Sequence, residues 1–215
     1  FEWRILLPLL GLAALALVLV CFTPFVYVAY EVTSIEHRHA LTWMMRAGGG
    51  FAILPLALAL AVALARSRQI VPTARPLRAA LVMSLILFAA GGLIGFAING
   101  SNVKVPAHYH GCIVGITLAF MGVAYELLPR LGFRAPSSRL AVWQPVVYGV
   151  GQLMHIGGLV WSGGYGVQRK VAGADQVLTN LQQVAGMGLM GLGGLIAIIG
   201  GVAFLLVVAR AVWPA

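Results

Sequence analysis

Acidic residues and charges in general are scarce in this sequence. The 215 residues include only five aspartates and glutamates, and charged residues make up 9% of the chain against 61% hydrophobic residues. Soluble domains carry about 25% charged residues, so this chain has too few to cover the surface of a soluble globular protein. Intrinsic disorder is excluded as well, because disordered chains are poor in hydrophobic residues.

Cysteine is also rare. The two cysteines, Cys21 and Cys112, both lie within apolar runs, where a thiol packs as a small hydrophobic group. They indicate neither a disulfide framework nor a redox compartment.

The short segments of alternating polarity that build a membrane β-barrel are missing too. Because the apolar runs are long and unbroken, the sequence predicts an all-α, polytopic membrane protein.

Six stretches are long and apolar enough to cross a bilayer, which takes roughly 20 helical residues. Neither an internal repeat nor a separate polar domain is visible, so we expect a single six-helix transmembrane domain over residues 1–215. The predicted spans cover about residues 5–30, 43–65, 79–98, 107–129, 140–162 and 183–209.

Loop cations predict the orientation of these spans. The formal net charge is +9, but the cations lie in short loops between apolar runs, so we expect no nucleic-acid partner. Cytoplasmic loops carry the excess of lysine and arginine, and the side that holds both termini has nine cations against five. We therefore expect both termini in the cytoplasm of a bacterial-type inner membrane. The nine are Arg4, Arg66, Arg68, Arg75, Arg78, Arg130, Arg134, Arg139 and Arg210; the five are Arg38, Arg46, Lys104, Arg169 and Lys170.

All five histidines fall toward the outer side in this arrangement. His108 and His110 open the fourth span, and His155 lies about two turns inside the fifth. His37 and His39 are expected in the first outer loop, just ahead of the second span, where histidines are commonly plain surface residues. The histidines thus form one layer near the outer leaflet.

The segment His108-Tyr109-His110 is the most informative motif. Side chains at i and i+2 on a helix point about 200° apart, so the two imidazoles cannot chelate one metal ion from a regular helix. They suit two sites on opposite faces, and a neutral imidazole is a good ligand for haem iron. Two interfacial histidines bonded to water or lipid headgroups are the alternative interpretation of this spacing.

Arg169 and Lys170 form a basic pair in the outer loop above the histidines. Adjacent cations at a membrane surface usually contact headgroups. Haem propionates also need cationic partners, and arginine suits bidentate pairing with carboxylates. Histidines within the membrane and cations above them fit a haem whose propionates point outward.

Longer motifs surround these residues. Residues 105–110 read VPAHYH, followed by FMG at 120–122 and YELLPRLG at 125–132; residues 152–159 read QLMHIGGL, and residues 166–170 read GVQRK. The first three segments resemble helix X of the catalytic subunit (subunit I) of the heme–copper oxidases. The last two are similar to its helix XI and the loop that follows. The order of the segments fits helices VII to XII, which is nearly the whole chain.

The resemblance implies roles for the candidate residues. In that family the first histidine of the helix X pair binds the high-spin haem and the second binds the low-spin haem. These positions correspond to His108 and His110, and the haem would be of b or a type. Arg169 and Lys170 would contact the haem propionates, as the basic pair does in the family.

The chain departs from the family at the copper site. Its first span has no histidine, and residues 25–30 (FVYVAY) stand where the family carries adjacent copper ligands. The family's helices I to VI, which supply the second ligand of the low-spin haem, lie outside this sequence. No copper is therefore expected. We expect His110 to be the first ligand and His108 the second, and the missing axial ligand would come from another chain, from His39 or from His155.

Three functions stay open on this basis. The favoured one is a haem-binding membrane subunit that carries electrons within a larger oxidoreductase or respiratory complex and is not catalytic alone. Its expected partners are other membrane subunits and lipid, with a c-type cytochrome or a quinol as candidate electron donor. The alternatives are the C-terminal half of a split terminal oxidase or nitric oxide reductase, and a haem-free structural membrane subunit.

Overall fold

The computed structural model describes residues 3–67, 71–171 and 173–213; Arg68 lies outside these ranges. Within them the chain is helical and contains no strand, apart from one isolated bridge between Asn102 and Gln168. Five helical segments of the described residues are long and apolar enough to cross a membrane, which confirms the prediction of an all-α polytopic membrane protein. They are Leu7–Ala29, Ile35–Arg66, Pro72–Phe96, Lys104–Arg130 and Leu181–Val212.

The chain divides into two compact units, Phe1–Gln69 and Ile70–Ala215, and each is described by itself. The single six-helix domain stays a prediction. The first unit contains helices α1 (Trp3–Val20), α2 (Thr23–Ala29), α3 (Ile35–Met44) and α4 (Phe51–Arg66), with a π-helical turn at Met45–Gly50. The second contains α5 (Arg75–Phe96), α6 (Lys104–Arg130), α7 (Arg139–Gly164) and α8 (Leu181–Val212).

Two interruptions shape the first unit. A turn separates α1 from α2, where the hydroxyl of Thr23 donates to the Val20 carbonyl oxygen at 2.6 Å. Pro24 lies in the first turn of α2, a position that needs no intrahelical N–H. The glycine-rich π-helical turn joins α3 to α4 and packs against α1, since a Cβ at Gly48 would lie 2.8 Å from Val20 Cγ2.

The expected loop position of His37 and His39 is wrong. Both residues lie on helix α3, which continues into the second candidate span. Ser34 is the physical reason: its hydroxyl accepts a hydrogen bond from the His37 backbone N–H at 3.1 Å and caps the helix. The helix therefore begins ahead of the apolar run. Hydropathy detects only the apolar run and not the polar residues that precede it in the same helix.

The two histidines of α3 differ in their surroundings. His37 is buried, with Nδ1 lying 3.3 Å from the Tyr30 carbonyl oxygen and its ring packed edge-on against Tyr27 at 4.6 Å. His39 is exposed. The expectation of a plain surface histidine therefore fits His39 and fails for His37.

The second unit is an antiparallel arrangement of four long helices. Gly91 and Gly95 of α5 lie against Gly111 and His108 of α6, so the two helices run in opposite directions. The same holds for α7 and α8. The core is apolar and includes Leu87, Ala107, Leu118, Ile156 and Leu159.

Helix α7 is not among the five candidate spans of the described residues. Its 26 residues make it about 39 Å long at 1.5 Å per residue, which exceeds the bilayer core. Gln144, Gln152 and His155 lower its hydropathy, and the two glutamines are buried within the second unit. A sixth span at 140–162 therefore stays a prediction, with polar side chains that face the protein interior.

Candidate functional site

Three histidines of the second unit lie at one end of its helices, here called the histidine end. His108 and His110 lie in the second turn of α6, and His155 lies in the last third of the antiparallel helix α7. All three side chains are partly buried. The structure therefore brings together three of the four histidines that the sequence predicts as haem ligands; the fourth, His39, belongs to the first unit.

His108 faces helix α5. Its Nδ1 lies 2.7 Å from the carbonyl oxygen of Gly91, and a carbonyl oxygen only accepts, so Nδ1 donates the hydrogen bond. The neutral ring then keeps an electron pair on Nε2. A Cβ at Gly95 would lie 2.9 Å from the imidazole ring, so a glycine is what lets the ring lie this close to α5.

His155 has the same arrangement on helix α8. Its Nδ1 donates to the carbonyl oxygen of Met190 at 3.1 Å, which again leaves Nε2 as the acceptor. Metal-binding histidines usually donate their second ring N–H to a carbonyl or carboxylate, which fixes the tautomer and the ring orientation. Both His108 and His155 are held in this way.

His110 is held differently. Its Nε2 lies 3.1 Å from Gln152 Oε1 on α7, and because an amide oxygen only accepts, Nε2 carries the proton. The His110 ring also lies 4.7 Å from the His155 ring, with 37° between their planes. His110 would have to leave Gln152 before its Nε2 could bind iron.

The two histidines of α6 face different helices. His108 contacts α5 and His110 contacts α7. These contacts agree with the prediction that side chains at i and i+2 point to different sides of the helix. The sequence missed Gln152, although a glutamine three residues before His155 in an apolar run was a visible signal of an interior polar contact.

The loop between α7 and α8 folds back onto the beginning of α6. The Val103 backbone N–H donates to the Val167 carbonyl oxygen at 3.1 Å, and Arg169 Nε donates to the hydroxyl of Ser101 at 3.2 Å. Arg169 therefore lies at the histidine end. Lys170, which follows it, is exposed and has a left-handed backbone with φ of 61°.

The three histidines differ in how well they suit a haem iron. His108 and His155 each keep an Nε2 electron pair while Nδ1 is anchored, which is the state that binds iron. His110 and His155 cannot be the two axial ligands of one haem as they stand, because rings 4.7 Å apart leave no room for a porphyrin between them. The Nε2 atom of His108 would thus suit a haem iron, whereas His155 lies beside His110 on another side of α6 and would be open to a ligand only if His110 moved.

No metal cluster of protein side chains accompanies these histidines in the described part of the chain. Within those residues no group of three or more histidine, cysteine, aspartate or glutamate side chains is arranged to hold a metal ion. The candidate site thus consists of single imidazoles on separate helix faces.

Comparisons with known proteins give relatives without an assigned activity. The chain is similar to an uncharacterized protein of Rickettsia prowazekii (strain Madrid E), 38% identical over 138 residues, which are 58% of this chain and 26% of that protein. An uncharacterized protein of Aquifex aeolicus (strain VF5) is 38% identical over 56 residues, which are 26% of this chain and 14% of that protein. The aligned chain thus spans about a quarter of the Rickettsia protein. No protein-family model and no solved structure matches the sequence.

Proposed function

We propose that this chain is a haem-binding membrane subunit that carries electrons within a larger oxidoreductase. The observation that carries the proposal is the state of His108. Its Nδ1–H is anchored on the Gly91 carbonyl oxygen at 2.7 Å, so Nε2 is the nitrogen left to bind iron. The likeness of the surrounding VPAHYH segment to helix X of the heme–copper oxidases supports the same role.

Arg169 would bind a haem propionate. The loop that carries it is joined to the beginning of α6 by the contact between Val103 and Val167, one helical turn ahead of His108. A guanidinium group about one helical turn from the iron ligand suits a propionate carboxylate at the edge of the porphyrin. Lys170, whose side chain is exposed, adds a second positive charge next to Arg169.

The chain's own residues would bind and orient the cofactor. A bound haem supplies a one-electron carrier, and axial ligands, hydrogen bonds and burial set its potential. The hydrogen bond to the Gly91 carbonyl oxygen fixes the plane of the His108 ring. By the positive-inside rule we place this site toward the outer side of a bacterial-type inner membrane, with both termini in the cytoplasm.

The order of the ligands changes from that expected from the sequence. By the resemblance His110 would be the ligand of a low-spin, bis-histidine haem, but its Nε2 donates to Gln152. His155 has the anchored Nδ1 that a ligand needs. We therefore assign His108 as the ligand of one haem, whose second axial ligand would come from another chain. His155 lies beside His110 on another side of α6 and would serve a separate site, in which His110 could take part only after release from Gln152.

A ligand replacement tests this proposal. His108→Ala should remove at least half of the haem from the purified complex, measured by haem extraction and by the reduced-minus-oxidised spectrum, because the iron loses its axial nitrogen. Tyr109→Ala is the control at the neighbouring position of the same helix, since Tyr109 is exposed, and it should keep the wild-type content. Thermal unfolding of both variants checks that they fold.

The outcomes separate the remaining functions. A folded His108→Ala variant with full haem content contradicts the assignment. A folded wild-type complex without haem would instead indicate the haem-free structural subunit. Turnover of oxygen or nitric oxide by the complex, together with a second metal in elemental analysis, would indicate the half of a split oxidase or reductase.

A further inference from the structure

The second unit carries a concentration of arginines at the end opposite the histidines, here called the arginine end. Four helix ends meet there: the beginnings of α5 and α7 and the ends of α6 and α8. Glu126 is the acidic residue of these helix ends. The six arginines are Arg75, Arg78, Arg130, Arg134, Arg139 and Arg210.

These arginines surround one apolar cluster. Five of the six lie within two residues in sequence of a member of the cluster. Arg134 is tied to the same place, because its backbone N–H donates to the Ala211 carbonyl oxygen at 3.2 Å and its guanidinium donates to the carbonyl oxygen of Trp213. The cluster comprises Tyr125, Leu128, Ala141, Val207 and Ala211, with Leu77 and Leu140 packed against it.

Glu126 forms an ion pair with Arg130 at 2.5 Å, one helical turn apart and partly exposed. Within the described residues of these four helix ends and their adjoining turns, six arginines stand against one glutamate, so the arginine end has a surplus of positive formal charge.

Helix polarity adds to that surplus. The first residues of α5 and α7 are Arg75 and Arg139, and neither helix has an acidic residue in its first turn. The N-terminal end of a helix carries partial positive charge, so a cation there is unfavourable and an anion is favourable. A phosphate group bound beside Arg139 would be attracted both to its guanidinium group and to the positive end of α7.

Exposed apolar side chains border the same arginines. Trp143, 62% exposed, lies one turn beyond Arg139 on α7, and Trp213, 75% exposed, follows Arg210 at the end of α8. Tryptophan is enriched where a bilayer's acyl chains meet its headgroups. A ligand that combines a phosphate with long acyl chains could contact both the arginines and the exposed tryptophans, whereas a free anion could contact only the arginines.

We propose that the arginine end is a binding site for anionic phospholipid. Arg134, Arg139 and Arg210 hold the headgroup phosphate, and the acyl chains lie along Trp143 and Trp213. Basic surfaces at the ends of transmembrane helices are suited to such headgroups. The site is independent of the haem assignment, because it lies at the other end of the second unit.

Lipid titration of the purified chain or complex tests the proposal. Phosphatidylglycerol or cardiolipin added to phosphatidylcholine nanodiscs should raise the midpoint of thermal unfolding, and salt should reduce the effect. The double variant Arg139→Gln/Arg210→Gln should bind anionic lipid at least threefold more weakly and lose most of the rise. Arg38→Gln/Arg46→Gln, with the same change in net charge on exposed arginines of the first unit, should behave as wild type.

Three results would overturn it. The first is a folded Arg139→Gln/Arg210→Gln variant that keeps the full response; circular dichroism and the single variant Arg139→Gln guard against misfolding. The second is an equal response to phosphatidylcholine alone. The third is the same rise with inorganic phosphate, which would show a site for a free anion in place of a lipid.

Discussion

A single buried amide shows how the second unit keeps polar groups within an apolar environment. Gln144 is 1% exposed. Its Oε1 accepts from the Tyr125 hydroxyl at 2.9 Å, and its Nε2 donates to the Gly200 carbonyl oxygen at 3.1 Å. The amide thus links α6, α7 and α8, and both of its ends are satisfied, as burial away from water requires.

Removal of one hydroxyl should weaken this link. Tyr125→Phe leaves Gln144 Oε1 without its donor, and we expect the free energy of unfolding to fall by about 1 kcal/mol, the size of interhelical hydrogen bonds in membranes. Reversible unfolding by denaturing detergent measures the change. Tyr165→Phe, at a 50% exposed tyrosine, should have no such effect, and equal losses in the two variants would contradict the role given to Gln144.

The histidines show what a sequence reveals at this scale and what it does not. The spacing of His108 and His110 fixes that they face opposite sides, because helix geometry is local. Which ring nitrogen is free depends on Gly91 and Gln152, which lie on other helices. Such tertiary contacts are not encoded in spacing, so the order that we propose, with His108 first, differs from the order predicted from the sequence, with His110 first.

Close helix packing is the main feature at the scale of elements. Gly151 and Gly158 on α7 lie against Gly186, Gly193 and neighbouring residues of α8. Small residues at such an interface let two backbones approach. This contact positions His155, whose Nδ1 donates to the α8 backbone.

An added methyl group should separate α7 from α8. A Cβ at Gly193 would lie 2.4 Å from the His155 backbone nitrogen and 2.6 Å from the Gly151 oxygen, and neither atom can move without its helix. We expect Gly193→Ala to lower the free energy of unfolding by about 1–3 kcal/mol, as overpacking does.

Gly191→Ala is the matched control on the same helix. Nothing lies within 4 Å of a Cβ there, and alanine favours a helix over glycine by up to about 1 kcal/mol, so this variant should be as stable as wild type or more so. Unfolding in detergent compares the two. A Gly193→Ala variant as stable as Gly191→Ala would contradict the packing.

The apolar runs predicted the helices of the second unit well and those of the first unit less well. The run 107–129 became α6, Lys104–Arg130, because length and hydropathy suffice for an unbroken helix. The run 5–30 is interrupted after Val20, and the run 43–65 is extended backward by the capped helix α3. Turns and caps depend on single residues such as Ser34, which an average over many residues does not register.

The number of spans determines the topology of the whole molecule. Five segments of the described residues are apolar enough to cross a membrane, and α7 would be the sixth span. An even number places both termini on one side, as the loop cations predict.

Labelling of single cysteines tests whether α7 crosses. Ser137 precedes α7 and Ala174 follows it, and both are exposed. In intact cells a membrane-impermeant maleimide should label Ala174→Cys, whereas Ser137→Cys should react only after the membrane is permeabilised. Unsubstituted protein gives the background from Cys21 and Cys112. Labelling of both positions from the same side would show that α7 does not span.

The central claim is that His108 holds a haem at the histidine end. The most direct measurement is a reduced-minus-oxidised absorption spectrum of the purified intact complex, with extraction to count haem per chain. We expect a b-type or a-type spectrum with at least one haem per chain. A folded complex without a haem signal would contradict the assignment of a haem to His108. So would a complex that, after dissociation, has haem only on its other chains.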